Sequence, residues 1–220
     1  MKKILITGAS GRIGRILVDG LKGCSITKAS FPSVDVRDYK QLERIARGQD
    51  TIIHLAWNAK TENFQTKTSD PDNLLMAENV YKVALNSGVP RVIMASSVHA
   101  DDFRGFNGKI FLSPNRIPKP LTPYGKSKVK IENLGKKYAK KGLEVICVRF
   151  GAVGYGKPPD DEGKMLWLTP SDCIGLIKTL VEAKKVPENF VVIYGISDNK
   201  TRIHSYSNPF GWEPKGGFGK

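Results

Sequence analysis

The segment Gly8-Ala9-Ser10-Gly11-Arg12-Ile13-Gly14 constrains this chain more than any other, because of what flanks it. Before it runs Ile4-Leu5-Ile6, a continuous apolar stretch of the kind a strand buried on both faces requires. After it, Ile13, Ile16, Leu17 and Leu21 recur at helical spacing and predict a helix from Arg12 to Lys22. In that setting Gly8 permits a tight turn, Gly11 lets the backbone approach an anion, and Gly14 lets the helix pack closely on the strand. The N–H groups that open a helix lack intrahelical partners and sit at its positive end, so a dinucleotide pyrophosphate is the expected ligand.

The alternation continues along the chain. Strands are predicted at Ser25 to Ala29, Ser33 to Val36, Thr51 to Leu55, Arg91 to Ser96, Glu144 to Phe150 and Phe190 to Tyr194. Helices are predicted at Tyr39 to Arg47, Asp72 to Asn86, Tyr124 to Lys140, and from the Thr169-Pro170 start to Ala183. Strands alternating with helices of ten or so residues form a parallel sheet covered on both faces, so the expected class is α/β, a doubly wound parallel sheet of the NAD(P)-binding Rossmann type. The absence of a repeat or a linker predicts one domain over 1–220, with 151–220 contributing a reduced substrate-binding part. Pro158-Pro159 and Asp160-Asp161 read as a loop, and the Gly-rich tail from Asn208 to Lys220 as a segment that wraps over the surface or frays.

Composition narrows the setting. The 220 residues are 40% hydrophobic and 25% charged, an ordinary globular balance that excludes disordered and collagen-like classes. Cys24, Cys147 and Cys173 are odd in number and lack zinc or redox spacing, and Met1-Lys2-Lys3 precedes an apolar run too short for a signal peptide. With no apolar run long enough for a bilayer, the expectation is a cytoplasmic protein with no membrane partner. The net charge of +14 concentrates between Lys119 and Lys157, where ten basic residues, Arg149 among them, face only Glu132 and Glu144. A solvated basic helix face explains this; an acidic substrate or a polyanion is the alternative.

Two further constellations carry chemistry. Tyr124 and Lys128, at i and i+4, project from one helix face, and an ammonium near a phenol favours the phenolate, so Tyr124 is a candidate acid/base. Ser96-Ser97 ends a strand, and ligands of open parallel sheets bind outside the carboxyl ends of strands, where a hydroxyl orients a reacting oxygen. His54 reads as a core histidine, and His54, His99 and His204 have no metal-ligand spacing, so no metal is expected. The second strand ends in Lys28-Ala29-Ser30, with no acidic residue for a ribose 2′-OH, which opens Lys28 and Ser30 to a 2′-phosphate and leaves NAD or NADP as the cofactor.

The chain resembles the extended short-chain dehydrogenase/reductase superfamily and, within it, the NAD-dependent epimerase/dehydratase family. The matching segments are T-G-A-S-G-R-I-G at Thr7 to Gly14, V-D-V-R-D at Val34 to Asp38, I-I-H-L-A at Ile52 to Ala56, A-S-S at Ala95 to Ser97 and Y-G-K-S-K at Tyr124 to Lys128. The subgroup it most resembles is uronate dehydrogenase-like, on P-R-V-I-M-A-S-S-V-H at Pro90 to His99, W-L-T-P-S-D at Trp167 to Asp172, V-V-I-Y-G-I-S at Val191 to Ser197 and F-G-W-E-P at Phe210 to Pro214. The resemblance implies catalysis by Ser97, Tyr124 and Lys128. It implies a cofactor held by Gly8, Ser10, Gly11, Arg12, Ile13 and Gly14, by Lys28, Ser30, Asp35 and Val36, and by Leu55, Ala56, Trp57 and Asn73. Tyr124, Lys128, Gly151 and Val153 complete that set, while Ser97, His99 and Lys164 would meet a sugar or acidic sugar. Ala59, Val98 and Ala152 stand where that subgroup has hydrogen-bonding residues. The implied activity is a sugar or sugar-acid dehydrogenase forming a homodimer. A sugar-nucleotide epimerase/dehydratase or reductase is the rival enzyme, and a nucleotide-sensing or RNA-associated protein the rival class, nucleic acid being the less expected partner.

Overall fold

A computed structural model describes residues 1–59, 69–103, 106, 111–156, 158 and 160–219. Lys157 and Pro159, both part of the sequence reading above, lie outside the described residues. Six parallel strands form one sheet in the order β2-β1-β3-β4-β5-β8: β1 (Lys3–Thr7), β2 (Ser25–Ala29), β3 (Thr51–His54), β4 (Arg91–Ser97), β5 (Glu144–Phe150) and β8 (Phe190–Gly195). The helices α1 (Arg12–Gly20), α2 (Tyr39–Ala46), α3 (Pro71–Asn86), α4 (Pro123–Ala139) and α6 (Pro170–Glu182) cover it. Sheet, order and helices establish the doubly wound Rossmann-type architecture expected from the alternation.

Side-chain alternation divides the core into two layers. Ile4 and Ile6 point into one layer with Ile16, Leu17, Leu176 and Leu180, while Leu5 points into the other with Leu42, Val80, Val92 and Ile131. Each strand is thus apolar on both faces, which is why strands read as runs rather than alternations. Helix starts are set by side-chain caps: Asp38, Asp70, Thr122 and Thr169 each accept from a backbone N–H of the first turn.

Two expectations need correction. Ser33 to Val36 is not a strand. Its backbone is spent on local turns, Val34 N–H to Ser30 O at 3.0 Å and Asp38 N–H to Asp35 O at 3.0 Å, so β2 remains the sheet edge. The expected loop at Asp160-Asp161 opens a short helix, α5 (Asp161–Leu166), because Asp160 caps it by accepting from Gly163 N–H at 2.6 Å. On either side of α5, β6 (Ala152–Val153) and β7 (Trp167–Leu168) pair as a small second sheet. Of the two outcomes expected for the tail, the structure has the one that wraps over the surface: Trp212 is buried, and the N–H groups of Lys215 and Gly216 donate to the Asp172 carboxylate on α6.

The basic stretch is also less of a surface than its count implies. Arg149 is buried against Glu132, and Lys128 is buried as well. Among the described residues no helix is long and apolar enough to cross a membrane.

Candidate active site

A cleft of about 1040 Å³ opens at the carboxyl ends of β1, β3, β4 and β5. The glycine turn forms one wall. Gly8 takes φ of +70°, the left-handed region that glycine tolerates, and a Cβ at Gly14 would come within 2.4 Å of the Gly8 carbonyl oxygen. Gly11 caps α1 without a side-chain hydrogen bond, so the first-turn amides of the helix receive no capping oxygen from it. An uncapped helix start of this kind, in a cleft walled by Gly8, Gly11, Arg12, Ile13 and Gly14, fits a dinucleotide pyrophosphate.

The opposite wall carries Ser97, Tyr124 and Lys128, all lining the same cleft. Ser97 ends β4, and its Oγ accepts from the His99 N–H at 3.2 Å, which starts the 3₁₀ turn Val98–Ala100. Tyr124 sits in the first turn of α4, placed there by Pro123 and the Thr122 cap. Lys128 follows one turn later, its Nζ donating to the Ala95 carbonyl at 2.9 Å. That ammonium lies 3.3 Å from the centroid of the Trp57 ring and 5.5 Å from that of Tyr124. Trp57 and His99 meet the Tyr124 ring edge-on, at 6.0 and 6.1 Å between centroids.

Beneath the cleft, His54 is buried and shares a 2.7 Å hydrogen bond between its Nδ1 and Thr7 Oγ1. Burial, reinforced by the charge of Lys128, pushes its pKa down to about 3, so it stays neutral and is a core residue, as expected.

The remaining candidates divide. Leu55, Trp57, His99, Gly151 and Val153 line the cleft; Arg12 reaches across to the Val153 carbonyl at 3.5 Å. Ser10, Lys28 and Ser30 line a separate cavity of about 410 Å³ beside the glycine turn, together with Arg15, Asp19 and Ser33. There Ser30 Oγ accepts from the Ser10 N–H at 3.0 Å and Arg15 Nε donates to the Ser10 carbonyl at 2.8 Å. Asp35 is forked onto Arg37, whose guanidinium holds its carboxyl below the usual range, while Val36 is buried in the core. Ala56 follows Leu55 with its N–H 3.5 Å from Thr7 Oγ1. Asn73 is fully buried and brackets Asn58, accepting from its N–H at 2.7 Å and donating to its carbonyl at 3.1 Å, so it shapes the segment after β3.

Lys164 is not among the residues that line the cleft. It pairs with Asp161 at 2.7 Å and lies 5.7 Å over the Phe218 ring, while Asp160 and Glu162 line the cleft instead. Sequence reasoning missed both carboxylates, the Ala95 carbonyl that fixes Lys128, and Glu132. For Glu132 the signal was present: it stands four residues after Lys128, hence on the same helix face.

The sequence profile of the NAD dependent epimerase/dehydratase family matches residues 4–169. The chain is 30% identical over 250 residues to an L-arabinose 1-dehydrogenase (NAD(P)(+)) of Haloferax volcanii, covering 98% of this chain and 97% of that one. It is 28% identical over 234 residues to a uronate dehydrogenase of Agrobacterium fabrum, covering 98% and 85%. The crystal structure of uronate dehydrogenase from Agrobacterium tumefaciens superposes with a TM-score of 0.82 at 26% identity, covering 99% of this chain and 85% of that one. With glycine turn, serine, tyrosine and lysine gathered in one cleft, and a profile match across most of its length, the chain belongs to the NAD dependent epimerase/dehydratase family.

Proposed function

We propose that this protein is an NAD(P)-dependent sugar dehydrogenase in which Tyr124 is the acid/base, Lys128 its electrostatic support and Ser97 the group that orients the reacting oxygen. The observation that carries this reading is that these three side chains line the same cleft as Gly8, Gly11 and Gly14. A bound nicotinamide dinucleotide supplies the hydride acceptor. The Tyr124 phenolate takes the proton of a substrate hydroxyl, Ser97 Oγ hydrogen-bonds the oxygen that becomes the carbonyl, and the Lys128 ammonium stabilises the phenolate. The curated relatives, named for L-arabinose and uronate, support a sugar as substrate. Lys164 turned onto Asp161, with Asp160 and Glu162 on the cleft, supports an uncharged aldose over an acidic sugar.

The cavity with Arg15, Lys28 and three serines supports NADP as the better-bound cofactor, because two cations and hydroxyls suit a 2′-phosphate and only Asp19 opposes them. The same reading carries a cytoplasmic enzyme that forms a homodimer through two helices of each subunit.

A turnover screen tests it: NAD⁺ and NADP⁺ against L-arabinose, other neutral aldoses, hexuronic acids and sugar nucleotides, with Tyr124→Phe as control. The expected result is turnover of a neutral aldose, faster at low cofactor concentration with NADP⁺, and a loss of about 10² to 10⁴ in the control. Unchanged turnover in Tyr124→Phe contradicts the mechanism. Preference for a hexuronic acid contradicts the substrate class, and NAD(H) retained through purification with turnover of a sugar nucleotide points to the epimerase instead.

A further inference from the structure

One turn beyond Lys128, α4 carries a second buried charged group, one that the reaction does not touch. Glu132 is 4% exposed, and its carboxylate accepts from Arg149 Nε at 2.9 Å, from Arg149 Nη2 at 2.8 Å and from Ser96 Oγ at 2.5 Å. Arg149, on β5, is 1% exposed and is held protonated by this carboxylate against the cost of its burial. Arg149 pairs in register with Ser96 on one side and Tyr194 on the other, so Glu132 ties α4 to β4 and β5 directly beneath the turn that bears Tyr124 and Lys128. Lys128 is tied to the same strand through the Ala95 carbonyl. A buried pair of this kind is costly to build and is not needed for packing, since apolar replacements of similar volume serve stability as well or better.

Resting on the acid/base reading of Tyr124, we infer that Glu132 is a positioning residue that cancels the charge of Arg149 beneath the active site, so that the acidity of the Tyr124 phenol is set by Lys128. A guanidinium left alone at that depth would add a second positive charge to the same phenol and ammonium, drawing both toward loss of their protons. The other ionisable groups of this assembly are His54 and Cys147, which feel the charge of Lys128, Tyr194, which meets Arg149, and Arg12, His99, Asp160 and Glu162 around the cleft. They are common to every variant and cancel in the comparison.

The test needs no substrate. The phenol of Tyr124 is titrated by ultraviolet difference absorption, each protein measured against the same protein carrying Tyr124→Phe so that the remaining tyrosines subtract. Glu132→Gln keeps the shape and one acceptor oxygen but removes the charge, and is expected to lower the Tyr124 midpoint by about 0.5 to 1 pH unit. Glu132→Gln with Arg149→Met removes both charges and is expected to return the midpoint to within about 0.2 unit of the parent. A merely structural pair predicts a lower melting temperature with no midpoint shift. An unmoved midpoint in folded Glu132→Gln, or a shift that persists in the double variant, overturns the inference. If Glu132→Gln does not fold, Arg149→Met alone leaves the opposite charge; the midpoint must then rise, and one that stays overturns the inference equally. Turnover retained by Tyr124→Phe would instead defeat the acid/base reading itself, whatever the titrations show.

Discussion

The two walls of the cleft are built by different means. The wall from β1 to α1 is backbone: Gly8 at positive φ, Gly14 against the Gly8 carbonyl, and a helix start that Gly11 leaves without a side-chain cap. Its glycines lie within seven consecutive residues, braced by the Ala29 carbonyl and Ser30 Oγ, which accept from the Gly8 and Ser10 N–H groups. The side that follows β5 is assembled from afar. Asp172, buried on α6, accepts from Ser197 Oγ and from the N–H groups of Lys215 and Gly216, while Asn199 Nδ2 donates to the Trp167 carbonyl and its Oδ1 accepts from Phe218 N–H. Under the proposed function the glycine wall would take the cofactor and the side after β5 the substrate; backbone geometry is hard to vary, and a side held by side-chain anchors is where members of one family can differ.

Damage to each side is therefore expected to read out differently. Gly14→Ala should have the largest effect, because its Cβ would meet the Gly8 and Ala9 carbonyl oxygens at 2.4 and 2.6 Å and push α1 off the turn. Cofactor affinity in a titration is expected to fall about a hundredfold, as displacements near 1 Å commonly cost. An alanine variant that binds cofactor normally would break the comparison on this side.

Asp172→Ala comes next and should act on stability. Losing charge-assisted hydrogen bonds from a buried carboxylate costs on the order of 2 to 4 kcal/mol, which lowers the melting temperature of a chain this size by about 5 to 15 °C. Dinucleotide affinity of the folded fraction should change less than about twofold; a large loss would show that the tail supports both walls.

The smallest effect concerns acid. His204, fully buried between Phe103 and Tyr194, has its pKa pushed down to about 3 by burial and by Arg149 and His99, as His54 has by burial and Lys128. An unfolded chain protonates both below about 6.5 and the folded chain does not until about 3, so the stability from keeping them neutral is intact above 6.5 and is lost as pH falls toward 3. Each imidazole contributes up to about 1.4 kcal/mol per pH unit in that window. His204→Phe should halve this share of the slope in urea unfolding at pH 4 to 6, and an unchanged slope would place the histidine's proton balance elsewhere.

What was legible in the residues follows the same divide. Ile4 to Ile6, the glycine turn, Tyr124 with Lys128 and the Ser96-Ser97 strand end could be read because each signal is local: an apolar run, a turn, a helical spacing. Val34 and Val36 misled, since a short apolar alternation looks like a strand until Asp35, Arg37 and Asp38 are seen to spend it on turns. Asp160 is an N-cap residue by type, yet the prolines before it read as loop, and α5 was lost with it. Lys164 looked like a substrate cation because the segment read as loop, and only a helix there brings Asp161, three residues earlier, onto the same face. Whether the tail wraps or frays was left open by the sequence, because its anchor, Asp172 on α6, lies 43 and 44 residues away.

The central claim is that phenol, ammonium and serine hydroxyl converge on the nicotinamide of a dinucleotide lying along the glycine turn. A crystal structure of the protein soaked with NADP⁺ tests it most directly. The account predicts diphosphate oxygens on the first-turn amides of α1, the nicotinamide ribose within hydrogen-bonding reach of Lys128 Nζ and Tyr124 Oη, and the ring facing Ser97. A diphosphate seated away from those amides, or a nicotinamide ring turned away from all three side chains, would contradict it.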